Sequence, residues 1–220
     1  VPKVKVYYRP RQQWIDLRSG WDVLVDGNMN TQIRHAYGAL ATRFRPTDRI
    51  YLVGYSRGAY AVRSLSEMIN HVGLLKREYA TPRHIRQAWC LYQTNISSAV
   101  LEKFRAAHCH NVTEIEMIGV WDTVRALGLP IISRWRQAQY GFHNHALSPV
   151  VKSGYQALAL NEARVAFSPI EWECSAQPNT RVQRVWLRGN HGDVGSHLGG
   201  FFAARRLSNI PLIWMLERAE

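Results

Sequence analysis

Apolar residues recur along this chain at two spacings, and each spacing predicts a different element. Ile33, Ala36, Tyr37, Leu40, Ala41 and Phe44 fall on one face of a helix, and Pro46 closes the run. Tyr60, Ala61, Leu65, Met68 and Ile69 predict a second helix over Ala59 to Asn70, stopped near Gly73. Thr81 followed by Pro82 is an N-cap with proline at the first helical position, and Ile85, Ala88, Trp89 and Tyr92 form the apolar face behind it. A short helix is expected from about Ser98 to Ala107, a longer one over Pro149 to Phe167, and a last one over Ser208 to Glu220 with Pro211 near its start. The second spacing is that of strands. Lys3 to Tyr8 alternates, with valine and tyrosine at strand positions, and Ile50-Tyr51-Leu52-Val53 is a short apolar run. Ile115 to Trp121 is almost continuously apolar, as in a parallel strand buried on both faces, and Val182 to Leu187 predicts one more strand. Pro10 to Asp26 and Gly128 to Ala146 follow neither spacing, and the first reads as a loop reaching over a site.

Strands therefore alternate with helices, which predicts an α/β fold, a three-layer sandwich with a mostly parallel central sheet. With 220 residues and no linker or internal repeat, one domain over residues 1–220 is expected. The 46% hydrophobic content excludes a disordered chain. No window reaches the roughly 18 apolar residues needed to span a bilayer, and the N-terminus has no signal-peptide core. The expectation is a protein made in the cytoplasm, with export left to a non-classical route. The chain starts without methionine, so it reads as a processed product or a fragment. Cys90, Cys109 and Cys174 are widely spaced and odd in number; they predict buried free thiols rather than a disulfide framework or metal knuckle.

Charge changes the list of partners. The net charge is +12, and 23 of the 28 basic residues are arginine. Arginine grips phosphate in a bidentate fork, so an anionic membrane surface or a phospholipid headgroup suits this composition. Nucleic acid is disfavoured, because the basic residues are scattered and no nucleic-acid motif accompanies them.

The sharpest chemical signal is Gly54-Tyr55-Ser56-Arg57-Gly58, lodged between a predicted strand and a predicted helix. Such a turn holds its serine in strained geometry at the end of a sheet, with flanking glycines letting strand and helix approach. Ser56 is the candidate nucleophile. It needs a base and an orienting carboxylate, and in a parallel sheet these sit beyond the carboxyl ends of strands. Of six aspartates, Asp48 precedes its strand, and Asp16, Asp22 and Asp26 lie upstream. Asp122 and Asp193 each follow a strand, and both remain open as the orienter. His191 lies just beyond the Val182 to Leu187 strand and is the candidate base, with His197 in reserve. His108 and His110 fall at the opposite edge, and His71 and His84 belong to helices. The His-x-His pairs 108/110 and 143/145 lack a third ligand at metal spacing, so neither metal nor other cofactor is expected. Ser56, Asp122 and His191 then follow the Ser…Asp…His order of α/β hydrolases.

Four ordered blocks carry a family resemblance: Asp48 to Tyr60, Ile118 to Val124, Ala157 to Glu162, and Val185 to Gly195. In them the chain resembles the α/β-hydrolase domain family that includes the type VI secretion phospholipase effectors. The resemblance implies an α/β-hydrolase fold with esterase or phospholipase chemistry. It carries the nucleophile onto Ser56 and makes Asp122, His191 and Asp193 the matching polar positions. The family's opening strand, ending in Asp-Gly-Thr, has no counterpart ahead of Val1. Gly192 and Ser196 depart from the family's His-Ser-Asp-Val-Gly-Gly-Gly block.

The leading expectation is a serine hydrolase of carboxylic esters, lipid or phospholipid esters foremost, working by a Ser-His-Asp acyl-enzyme mechanism with the Arg57 backbone N–H as oxyanion donor. The competing one is a catalytically inactive binding or assembly module of the same fold, gripping a partner with its basic surface.

Overall fold

The computed structural model describes residues 6–7, 27–94, 98–124, 146–172, 181–196, 203 and 205–220. Its elements run α1 (Gly27–Arg43), β1 (Tyr51–Tyr55), α2 (Arg57–Val72), α3 (Pro82–Gln93), α4 (Ser98–His108), β2 (Ile115–Trp121), β3 (Val151–Ala159), β4 (Arg181–Leu187), α5 (His191–Val194) and α6 (Arg205–Leu216). Short 3-10 turns occupy Arg77–Tyr79 and Val165–Phe167. Among the described residues the sheet has four strands in the order β1-β2-β3-β4, and every pairing is parallel.

Helices cover both faces of this sheet, giving the three-layer α/β sandwich that the alternating pattern predicts. On one face Ile33, Tyr37 and Ala41 of α1 and Leu65, Met68 and Ile69 of α2 pack into a core with Ile118 and Val120 of β2. The Tyr37 hydroxyl donates to the Gly73 carbonyl (2.8 Å) and accepts from Leu75 N–H (3.2 Å), tying α1 to the end of α2. On the other face Met215 of α6 packs with Met117, Tyr155 and Ala157. Gly119 permits that approach, since a Cβ there would lie 2.6 Å from the Met215 sulfur.

The helices expected around Ile33 to Phe44, Ala59 to Asn70, Thr81-Pro82 and Ser98 form where the pattern places them, and Thr81 accepts the predicted capping bond from His84 N–H. The helix expected over Pro149 to Phe167 does not form. Residues 151–159 are instead the central strand β3, hydrogen-bonded on both sides, followed by a turn and the 3-10 segment. Burial on both faces removes the period-two alternation by which a strand is recognised, and Ala157, Leu158 and Ala159 favour a helix by propensity alone. Cys109 is buried as expected, but Cys90 is exposed, because it lies on the outer face of α3. Cys174, the Pro10 to Asp26 loop, and the strand over Lys3 to Tyr8 apart from Val6 and Tyr7, lie outside the described residues.

Candidate active site

Ser56 sits between β1 and α2 with φ 56° and ψ −121°, in the positive-φ region that non-glycine residues rarely enter. Such backbone costs on the order of 1–3 kcal/mol and persists only when the surroundings impose it. Here they do: Ser56 N–H donates to the Trp121 carbonyl at 2.9 Å, prolonging the β1–β2 ladder, while the Ser56 carbonyl accepts from Tyr60 N–H in the first turn of α2. The two glycines of the pentapeptide differ. A Cβ on Gly54 would lie 2.5 Å from the Gly58 carbonyl oxygen and 2.7 Å from Ala59 N, so strand and helix meet only because Gly54 has none. A Cβ on Gly58 would meet nothing within 4 Å, which corrects the expectation that both glycines serve this approach.

Asp122 follows β2 with φ 42° and is fully buried. Its Oδ1 accepts from Ala159 N–H at 3.2 Å, and its Oδ2 lies 2.6 Å from His191 Nδ1. His191 opens α5, is 5% exposed, and brings Nε2 to 2.9 Å from Ser56 Oγ. A carboxylate only accepts, so Nδ1 carries the proton toward Asp122 and Nε2 is left to accept from the serine hydroxyl. The arrangement is a serine hydroxyl, an imidazole and a buried carboxylate in line at the carboxyl edge of a parallel sheet.

Several groups fix the imidazole. Asn190 caps α5: its side chain accepts from Gly192 and Asp193 N–H, and Asp193 Oδ2 accepts from Asn190 N–H at 2.9 Å. Asp193 thus closes a capping box and pins the turn, while Asp122 holds the ring. Glu162 Oε2 accepts from His191 N–H at 3.1 Å, and the same carboxylate is forked by Arg164 at 2.6 and 2.8 Å. The hydrogen-bonded Arg164 guanidinium pulls the Glu162 carboxyl down from 4.5 to about 2 against the opposing effect of burial. The Arg164 guanidinium also covers the Phe167 ring (4.1 Å), which packs on the imidazole at 4.7 Å. Tyr55 also packs on the imidazole at 4.7 Å, and its hydroxyl donates to the His191 carbonyl at 3.0 Å.

Glu162, Tyr55 and Phe167 carried no role in the sequence reading. The expected helix over Pro149 to Phe167 concealed two of them, because it hid the strand end beyond which they lie. Asp48 sits at the amino edge, where it accepts from Arg45 N–H. His108 and His110 flank the end of α4 on that side, packed against Tyr79 and Phe44 respectively. Among the described residues no group of three or more His, Cys, Asp or Glu could hold a metal ion. Asp16, Asp22, Asp26, His143, His145 and His197 lie outside the described residues. No helix among the described residues is long and apolar enough to cross a membrane.

Fold and site together define an α/β-hydrolase-like protein. The family described as "T6SS, Phospholipase effector Tle1-like, catalytic domain" matches residues 10–218, and the chain belongs to that family. The chain is also similar to the uncharacterized protein YEL023C of Saccharomyces cerevisiae, with 30% identity over 113 residues. That match covers 46% of this chain and 16% of the yeast protein, so the chain spans less than a fifth of that relative. No solved structure gave a significant match.

Proposed function

We propose that this chain hydrolyses carboxylic esters of phospholipids through a covalent acyl-enzyme on Ser56. The observation that carries the reading is the continuous relay of Ser56, His191 and Asp122, with contacts of 2.9 and 2.6 Å, on a serine of positive φ. Membership of a phospholipase effector family supports the substrate class. In the first half-reaction Ser56 Oγ bonds to the acyl carbon and its proton passes to His191 Nε2. Asp122 holds the imidazolium that results. Arg57, the first residue of α2, offers its backbone N–H to the oxyanion at the positive end of the helix. Collapse expels the alcohol, which takes the proton from Nε2. Water then enters by the same route in reverse, releasing the fatty acid and regenerating the serine.

The test is Ser56→Ala. It should abolish cleavage of a short-chain ester and labelling by a fluorophosphonate probe, with the thermal midpoint little changed, since alanine keeps the Cβ that makes the positive φ costly. Activity within about twofold of wild type in a folded variant would remove Ser56 from the mechanism. A wild type that neither labels nor cleaves would leave the non-catalytic binding module as the better reading.

A further inference from the structure

The segment that leaves β3, residues 160–167, combines two properties, of which the hydrolytic relay accounts only for the first. Inward, it holds His191 through Glu162 and Phe167. Outward, it presents large apolar side chains to solvent: Val165 is 91% exposed and Leu160 57%. Trp186, the register partner of Leu158 at the same carboxyl end of the sheet, is 47% exposed. Arg164 and Arg188 stand among them, both exposed. Solitary exposed apolar residues are ordinary on a protein surface; three at the carboxyl end of two paired strands, with arginines near them in sequence and beside the segment that holds His191, are not.

We propose that this rim, formed by Leu160, Val165, Trp186, Arg164 and Arg188, is the surface by which the protein seats itself on an anionic phospholipid bilayer. The inference rests on the ester-hydrolase reading of Ser56. The scissile ester of a phospholipid lies at the boundary between headgroup and acyl chains, so an enzyme that cuts it there must enter that boundary beside its own nucleophile. Apolar tips suit the acyl side, tryptophan suits the boundary itself, and arginine suits the phosphates above it. Charge complementarity selects this occupant: the molecule carries +12, and Arg188 adds a cation to the rim beside Arg164, whose guanidinium is shared with Glu162. The outward stripe of α6, with Ile210, Ile213 and Leu216 about half exposed, is the rival surface. It is the weaker candidate: α6 packs on α5 through Met215 and Val194, but it lies across a face of the sheet and supplies none of the hydrogen bonds or ring contacts given for His191.

The experiment compares wild type, Val165→Asp, Leu160→Asp and, as the rival, Ile213→Asp. Each is measured for binding to vesicles of mixed phosphatidylcholine and phosphatidylglycerol, for phospholipid cleavage in those vesicles, and for cleavage of a soluble short-chain ester. Val165 is almost wholly exposed, so its variant keeps the fold, and thermal midpoints check this. Expected is a loss of vesicle binding of about tenfold or more for Val165→Asp and Leu160→Asp, as for removing an inserted side chain and adding a charge repelled by the lipid. Vesicle cleavage falls in parallel, soluble-ester cleavage stays within about twofold, and Ile213→Asp behaves as wild type. Unchanged binding by both rim variants overturns the proposal. So does loss of binding in Ile213→Asp alone, which hands the surface to α6, and so does an equal loss on the soluble ester, which makes the segment a support for His191 only. If Ser56 proves unreactive, the hydrolase reading fails, and vesicle binding by the same four proteins still decides the docking face.

Discussion

Gly54 and Gly58 bracket the same serine and meet different surroundings, so one substitution at each separates motif from mechanics. Gly54→Ala places a methyl against backbone that cannot yield, and should destabilise the fold by about 1–3 kcal/mol while lowering activity. Gly58→Ala meets open space inside a helix and should stabilise it by about 0.5–1 kcal/mol with activity retained. Thermal melts of the two variants, read beside ester cleavage, check the contrast. A second test concerns Glu162, whose folded carboxyl is depressed from 4.5 to about 2 by Arg164. A depressed carboxyl contributes stability that is present above its unfolded value and is lost as pH falls through the folded one. The stability gap between wild type and Glu162→Gln should therefore be full above about pH 4.5 and close progressively toward about pH 2, as followed by denaturant midpoints across that range. Ser56, Asp122 and His191 were legible as candidates because each follows a strand in sequence. The choice between Asp122 and Asp193 was not, since both follow strands; only the placement of Asn190, whose cap recruits Asp193, separates them in space.

Among the elements, β3 was the one misread, and Gln156 shows what its position demands. It is a polar side chain buried completely in a central strand. Its Nε2 donates to the Ile170 carbonyl at 2.8 Å, and its Oε1 accepts from Trp172 N–H at 3.1 Å, so it staples the segment beyond the 3-10 turn to the sheet. Arg63 of α2 reaches the same carbonyl at 2.8 Å and lies over the Trp172 ring, its guanidinium lowered to about 10 by burial. Gln156→Leu would leave the Trp172 N–H buried without an acceptor and should cost about 1–3 kcal/mol, measured by urea unfolding. Because this staple anchors the chain that carries Phe167 to His191, the variant should also lose activity where it remains folded. The outer strands and most helices were legible since one of their faces meets water and preserves a period. A strand buried on both faces has no such contrast; β2 was still legible because its apolar run is nearly continuous, whereas β3 is broken by Lys152, Ser153, Gly154 and Gln156, and Gln156 looks like the polar side of a helix until its two partners are seen.

For the whole molecule, the charge of +12 is a property of the surface as a sum, and it acts at a distance that no single contact does. Such a field attracts an anionic bilayer and is screened over a Debye length of about 8 Å at physiological ionic strength, falling to about 3 Å near 1 M salt. Insertion of apolar side chains is not screened in this way. Binding to vesicles rich in phosphatidylglycerol should accordingly weaken steeply as salt is raised, and binding to pure phosphatidylcholine should be weak at every salt concentration. Cleavage of a soluble neutral ester should barely change across the same range, because His191 and Asp122 are buried and the Asp122 carboxylate is hydrogen-bonded within the protein. Recruitment and chemistry are thus separable by salt alone. If neutral and anionic vesicles bind equally at low salt, the arginine-rich surface does not serve a membrane, and the excess charge has a different, protein-borne partner.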